Sequence, residues 1–265
     1  MSEDKNFSVA IPTYNSSKYV KDLLNKLTKL RYLNDIVIVD DSSEAEQQKE
    51  LKKTVEEFEK SKGLNIKCHF NAENLGGFKN KYKVVSLCRE EIVYQIDSDN
   101  ILSNKTIRYL NNQNNFKYIK KNYINLPYFV RLFQTNQTFL DLRKKKINLL
   151  KRELSLSLDG VQDAINEKSN IIHGFSIGYL LNIGNSIFYR DEYLSYLEEG
   201  SVLDRDFTSA DAIAVIYYWL KNGGHIELNK NIGHSHRLRD DSYWHEGHNA
   251  GENHAHLMKE ILNLN

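Results

Sequence analysis

Residues 7–15 read FSVAIPTYN, an apolar, β-branched run halted at Pro12 and followed by the polar triplet Thr13-Tyr14-Asn15. Such a run marks a buried strand ending in a loop, and it predicts a first strand at 7–11. Beyond it, Val20, Leu23, Leu24, Leu27 and Leu30 recur at helical spacing, with Ser16 and Ser17 available as helix caps. The unit then repeats. Residues 35–39, DIVIV, form a second strand ending in Asp40-Asp41-Ser42-Ser43, and a charged segment carrying Leu51, Val55 and Phe58 forms the next helix. Residues 65–70 make a third strand, and NAENLGG leads into a helix bearing Phe78, Tyr82, Val85 and Cys88. Residues 91–96 make a fourth strand that runs out into Asp97-Ser98-Asp99. Repeated strand, polar loop and helix predict an α/β fold with a mostly parallel sheet flanked by helices.

In open sheets of this kind ligands bind beyond the carboxyl ends of the strands, where the polar clusters of this chain fall. Thr13-Tyr14-Asn15, Asp40-Asp41, Asn74-Gly77 and Asp97-Asp99 are expected to share one crevice. One Asp after a strand is ordinary turn or cap chemistry. Two acidic clusters on one rim repel each other, so the full set calls for a cation or ligand hydroxyls between them.

The chain has 265 residues, a length suited to one large α/β domain, with 40% hydrophobic and 27% charged residues. No apolar run approaches the roughly twenty residues of a transmembrane helix. Lys and Arg number 36 against 35 for Asp and Glu, so the net charge of +1 offers no global field for nucleic acid. With two cysteines, and a start (MSEDKNF) that lacks the pattern of a secretory signal, the expected location is cytoplasmic.

IPTYN at 11–15, VDDSS at 39–43, ENLGG at 73–77 and IDSDN at 96–100 resemble the successive signature loops of family-2 glycosyltransferases of the GT-A fold. The resemblance implies a Rossmann-like sheet and transfer of a sugar from a nucleotide-diphosphate donor to a hydroxyl acceptor. It implies that Pro12 and Tyr14 in the first loop and Asp41 in the second hold the nucleotide. A carboxylate accepting the imide N–H of a pyrimidine suits uridine. By the same likeness Asn74 and Lys79 touch base or diphosphate, Asp97 meets the ribose, and Asp99 binds a divalent metal. Hard oxygen ligands suit Mn²⁺ or Mg²⁺.

Residues 103–170 fit the repeated pattern least: a capped helix around Ile107 and Leu110, an aromatic stretch with Pro127, Phe129 and Phe133, and then a basic segment. They are expected to be an acceptor-side, helical insertion. The run Arg143-Lys144-Lys145-Lys146, with Lys151 and Arg152, reads as a solvated helix face or as a peripheral contact with a lipid-linked or polyanionic acceptor. At 184–190, GNSIFYR again resembles the family, and Gly184-Asn185 either lines the site or makes a turn before a strand.

A helical pattern then opens at Ser209-Ala210-Asp211-Ala212 and ends at Gly223-Gly224. The family has an acidic pair at this helix start; Ala210 replaces the usual Glu, leaving Asp211 as the implied base, with Asp204 and Asp206 as alternatives. Seven of the nine histidines follow residue 220, and the likeness selects His234 as a second metal ligand with His236 in reserve. His245-Glu246-Gly247-His248 lacks the i, i+4 histidine spacing of a zinc hydrolase. A C-terminal amphipathic helix is expected over 256–264.

The reading is one GT-A domain, with residues 1–102 as a nucleotide-binding half and 103–265 as an acceptor-binding half. Its expected activity is inverting, metal-dependent sugar transfer to a glycan, lipid-linked or protein hydroxyl. The alternatives are a nucleotide-sugar-binding protein without turnover and a histidine-based zinc protein.

Overall fold

The computed structural model describes residues 5–134, 155–158, 171–172, 175–176, 184–198, 203, 207 and 210–238. Along them run β1 (Phe7–Thr13), α1 (Ser17–Leu27), β2 (Leu33–Asp40), α2 (Ala45–Lys62), β3 (Ile66–Phe70), α3 (Gly77–Ser86), β4 (Ile92–Gln95) and α4 (Asn104–Leu110). A 3₁₀ turn (Gln113–Tyr118), β5 (Tyr123–Gln134), β6 (Ser155–Leu156), β7 (Ile171–Ile172) and β8 (Phe175–Ser176) follow. The described chain then forms β9 (Ser186–Tyr189), α5 (Arg190–Glu198), α6 (Asp211–Lys221) and β10 (His225–Leu238).

Eight strands form one sheet in the order β3-β2-β1-β4-β9-β5-β10-β6. The pairs β1–β2, β2–β3, β1–β4 and β5–β10 are parallel, whereas β9 runs antiparallel to both β4 and β5. Side-chain alternation divides the apolar residues between two faces. Val9, Ile11, Ile36 and Ile38 pack with Val20, Leu23, Leu24 and Leu27 of α1 and with Leu51, Val55 and Phe58 of α2. Ala10, Val37 and Val39 pack instead with Phe78, Val84 and Val85 of α3 and with Tyr193, Leu197 and α6. α6 is buried from Ala212 through Leu220, as expected of a helix that is apolar all round.

Three expectations need correction. The aromatic stretch around Phe129 is not helical: β5 is a twelve-residue strand inside the main sheet. Pro127 disguises it, because proline withholds a ladder donor, and the β5–β10 register shifts between Asn229 and Gly233, starting at the residue opposite Pro127. Ser16 stands at the start of α1 but makes no side-chain cap bond. α3 ends at Ser86, short of Cys88. Ser103 does cap α4, its side chain accepting from Thr106 N. His225, His234 and His236 lie within β10. The basic segment at 143–154, Asp204, Asp206, the histidines from His245 onward and the 256–264 segment lie outside the described residues. Among the described residues no helix is long and apolar enough to cross a membrane.

Trp219 anchors α6 to β10: it is fully buried, donates from Nε1 to the His225 carbonyl at 3.1 Å and meets Tyr196 edge-on at 5.0 Å. A Cβ on Gly224 would come within 2.3 Å of Trp219 Nε1, so glycine is required there. Trp219→Ala is expected to cost about 3–5 kcal/mol in chemical denaturation, the range for deleting a large buried aromatic.

Candidate active site

The sheet order reverses between β1 and β4, which opens a crevice at their carboxyl ends. The two rims are joined by hydroxyls: Ser16 Oγ lies 2.8 Å from Thr13 Oγ1 and 2.6 Å from Ser98 Oγ. Ser16 is therefore occupied in joining the first loop to the acidic loop after β4, which explains its absence as a cap.

The adjacent aspartates of the second loop do different work. Asp40 accepts from Ser43 N at 2.9 Å and from the Ser43 hydroxyl, closing its own turn. Asp41 reaches across to the third loop, where its Oδ1 accepts from Asn71 Nδ2 and from Leu75 N, each at 2.8 Å. Lys83 Nζ in turn donates to Asn71 Oδ1 at 2.7 Å. Burial raises the pKa of both carboxyls against these stabilising hydrogen bonds. Of the other residues implied at the nucleotide, Pro12 is buried in β1 opposite Val39, and Tyr14 is exposed at the rim. Asn74 is exposed and accepts from Gly76 N at 2.9 Å. Lys79 is half-buried.

Asp97 and Asp211 come together around a residue that the motif comparison missed. Lys81, from the buried face of α3, lies 3.4 Å from Asp97 Oδ1 and donates to Asp211 Oδ2. Its side chain is 8% exposed, which for an ammonium is tolerable only with charged partners. Burial alone would depress its pKa, but Asp211 and Asp97 outweigh that and hold it above the ordinary lysine value. Asp97 is pushed up to about 6 by burial first, opposed by Lys81 and reinforced by Asp99 and Asp211. The signal was in the sequence: Lys81 is three residues after Phe78 and four before Val85, so it shares their apolar stripe.

Two glycines permit this convergence. A Cβ on Gly184 would overlap Asp97 Oδ2, at 1.6 Å, and a Cβ on Gly77 would come within 3.0 Å of the Asp211 carboxyl. Asn100 Nδ2 donates to Asn185 Oδ1 at 2.9 Å, tying the acidic loop to the start of β9. β10 is held on either side of His234: Gly233 N donates to Thr106 Oγ1 of α4, and Ile101 N, just after the acidic loop, donates to the Ser235 carbonyl, both at 3.0 Å. The backbone at His234 pairs with Val130. Arg237 belongs to β10, with its guanidinium 4.4 Å from the Tyr19 ring centre. Among the described residues, no three His, Cys, Asp or Glu side chains are grouped to hold a metal ion by themselves.

Residues 8–125 match the family model Glycosyl transferase family 2. Over this stretch the chain is similar to that family, and its fold is GT-A. A stretch of 107 residues is 34% identical to the poly(ribitol-phosphate) beta-N-acetylglucosaminyltransferase TarS of Staphylococcus aureus strains Mu50 and MW2. That match takes up 38% of this chain and only 18% of the relative. In three dimensions, S. aureus TarS 1–349 in complex with UDP-GlcNAc is similar with a TM-score of 0.60 and 20% identity, over 97% of this chain and 67% of that one. A mannosyltransferase from Pyrobaculum calidifontis in complex with GDP-Man and Mn²⁺ is similar with a TM-score of 0.54 and 16% identity, over 92% of this chain and 60% of that one.

Because a methyl group at residue 184 would collide with the Asp97 carboxyl, Gly184→Ala is expected to displace that carboxylate and weaken nucleotide binding at least tenfold by titration calorimetry, about 1.4 kcal/mol. Unchanged affinity in a folded Gly184→Ala variant would separate Asp97 from nucleotide binding.

Proposed function

We propose that this protein transfers a sugar from a UDP-sugar to a hydroxyl acceptor in a single inverting displacement. The observation that carries the reading is the meeting of Asp211 with Asp97 through Lys81, a residue 130 positions away from Asp211. It sets a carboxylate able to act as base beside the loop that the family pattern assigns to the donor. UDP-N-acetylglucosamine, bound by TarS, is the first donor to test, and a polyol phosphate polymer, named in the description of TarS, is the first acceptor.

In this reading Tyr14 and Asp41 hold the base, Asn74 and Lys79 border the base and diphosphate, and Asp97 takes the ribose. The Asp41 carboxylate, fixed by Asn71 and Leu75, is an acceptor suited to the single imide N–H of uracil. Asp211 takes the proton of the acceptor hydroxyl as its oxygen attacks the anomeric carbon from the side opposite the diphosphate. The bond from that carbon to the diphosphate oxygen breaks, and inversion follows from the one displacement.

The residues present suit a divalent cation. Asp97, Asp99 and Asp211 bring three carboxylates against one ammonium; burial first, and then Asp99 and Asp211, raise the pKa of Asp97 against the pull of Lys81. Asp99 and His234 are the ligands we assign, with donor phosphate oxygens completing a hard, oxygen-rich set for Mn²⁺ or Mg²⁺. When bound, such an ion supplies electrostatic stabilisation of the departing diphosphate.

Thermal stability measured with UDP, GDP, dTDP and CMP, each with and without Mn²⁺, tests the donor assignment. UDP with Mn²⁺ at a hundred times its dissociation constant should add about 2.7 kcal/mol, and Asp99→Ala should remove the Mn²⁺ dependence. Asp211→Asn should retain UDP binding yet lower transfer by about 10²–10⁴-fold, the contribution of general base catalysis. No response to any nucleotide would contradict the donor site; binding with no effect of Asp211→Asn would contradict the enzyme reading.

A further inference from the structure

We infer that Lys81 is a positioning residue for the transfer reaction: anchored on Asp97, it holds one oxygen of Asp211 and leaves the other, Oδ1, to take the acceptor proton. The inference rests on the reading of Asp211 as the base. Nothing in the sequence likeness assigned a part to Lys81, and the charge it carries stands on the buried face of α3 among Phe78, Val84 and Val85.

The geometry divides the two oxygens of Asp211. Oδ2 accepts from Lys81, and among the described residues Oδ1 accepts no hydrogen bond. Asp211 begins α6, and the residue before it, Ala210, offers no side-chain cap, so the local helix start does not fix the carboxylate. Two outside contacts do so. Gly77 approaches the carboxyl so closely that even a Cβ there would crowd it at 3.0 Å, and Lys81 holds it from α3. Lys81 is itself restrained by Asp97 at 3.4 Å. The order Asp97, Lys81, Asp211 is that of a base oriented by a second group, which is anchored in turn by a third. Because the anchor belongs to the donor loop, the base is held in register with the bound nucleotide.

A purely structural counter-ion would occupy the same place, and a double-mutant cycle separates the two roles. The readout is UDP release from UDP-N-acetylglucosamine in the presence of Mn²⁺ with water as acceptor. In that reaction a water oxygen bonds to the anomeric carbon as the carbon–oxygen bond to UDP breaks, and the water proton passes to Asp211. Lys81→Met should lower kcat about 10–100-fold while UDP affinity by calorimetry stays within about threefold, and Lys81→Arg should recover most of the rate. In the Asp211→Asn background, Lys81→Met should cost less than about twofold further, because the group through which Lys81 acts is already gone. An equal loss in both backgrounds, or a wild-type rate for Lys81→Met, overturns the inference and leaves the donor site intact. Failure of the unmodified protein to bind UDP overturns the donor reading itself, before any Lys81 variant is compared.

Discussion

Three carboxylates, Asp97, Asp99 and Asp211, are brought to the carboxyl end of one sheet, and their mutual repulsion is the constraint that the surrounding structure answers. Left alone, like charges in a partly buried crevice would drive one another to take up protons. The answer is the buried ammonium of Lys81 between Asp97 and Asp211, which offsets part of that charge. The glycines serve the same end. Gly77 and Gly184 are small because carboxylates occupy the space their side chains would fill.

This concentration of charge depends on sheet order. With β1 and β4 adjacent and the chain turning away from them in opposite directions, the first loop and the acidic loop face each other, and Ser16 bridges them to Ser98. β9 returns antiparallel next to β4 and brings Gly184 and Asn185 under Asp97. β10 then carries His234 past the same loop, fixed by backbone bonds from the residues flanking it. Polar residues close together in sequence thus divide their work: Asp40 closes its own turn, and Asp41 spans to the third loop.

The nucleotide-side fold was legible because each strand was a bare apolar run and each helix had one apolar stripe. The positions of β1 to β4, and the gathering of their four loops, follow from those patterns. β5 was not legible, since Pro127 interrupts it and its hydrogen-bonding partner β10 lies about a hundred residues downstream. At the site, Asp97, Asp41 and Asp211 were singled out by the likeness to the family's loops and helix start, since an aspartate after a strand or at a helix start is by itself ordinary turn or cap chemistry. Lys81 was passed over for Lys79, which stands nearer the glycines. Only helical phase tells the two apart: Lys81 shares a face with Phe78 and Val85, and a lysine on a buried stripe demands a buried partner. That its partners would be Asp97 and Asp211 is a tertiary fact, with the second partner 130 residues away.

A crystal structure of the protein with UDP and Mn²⁺ bound tests the central claim most directly. The account predicts uracil against Tyr14 and Asp41, ribose at Asp97, the metal on Asp99 and the diphosphate, and Lys81 still between Asp97 and Asp211. UDP bound away from the β1–β4 crevice, or Lys81 turned away from Asp211 to another partner, would contradict it.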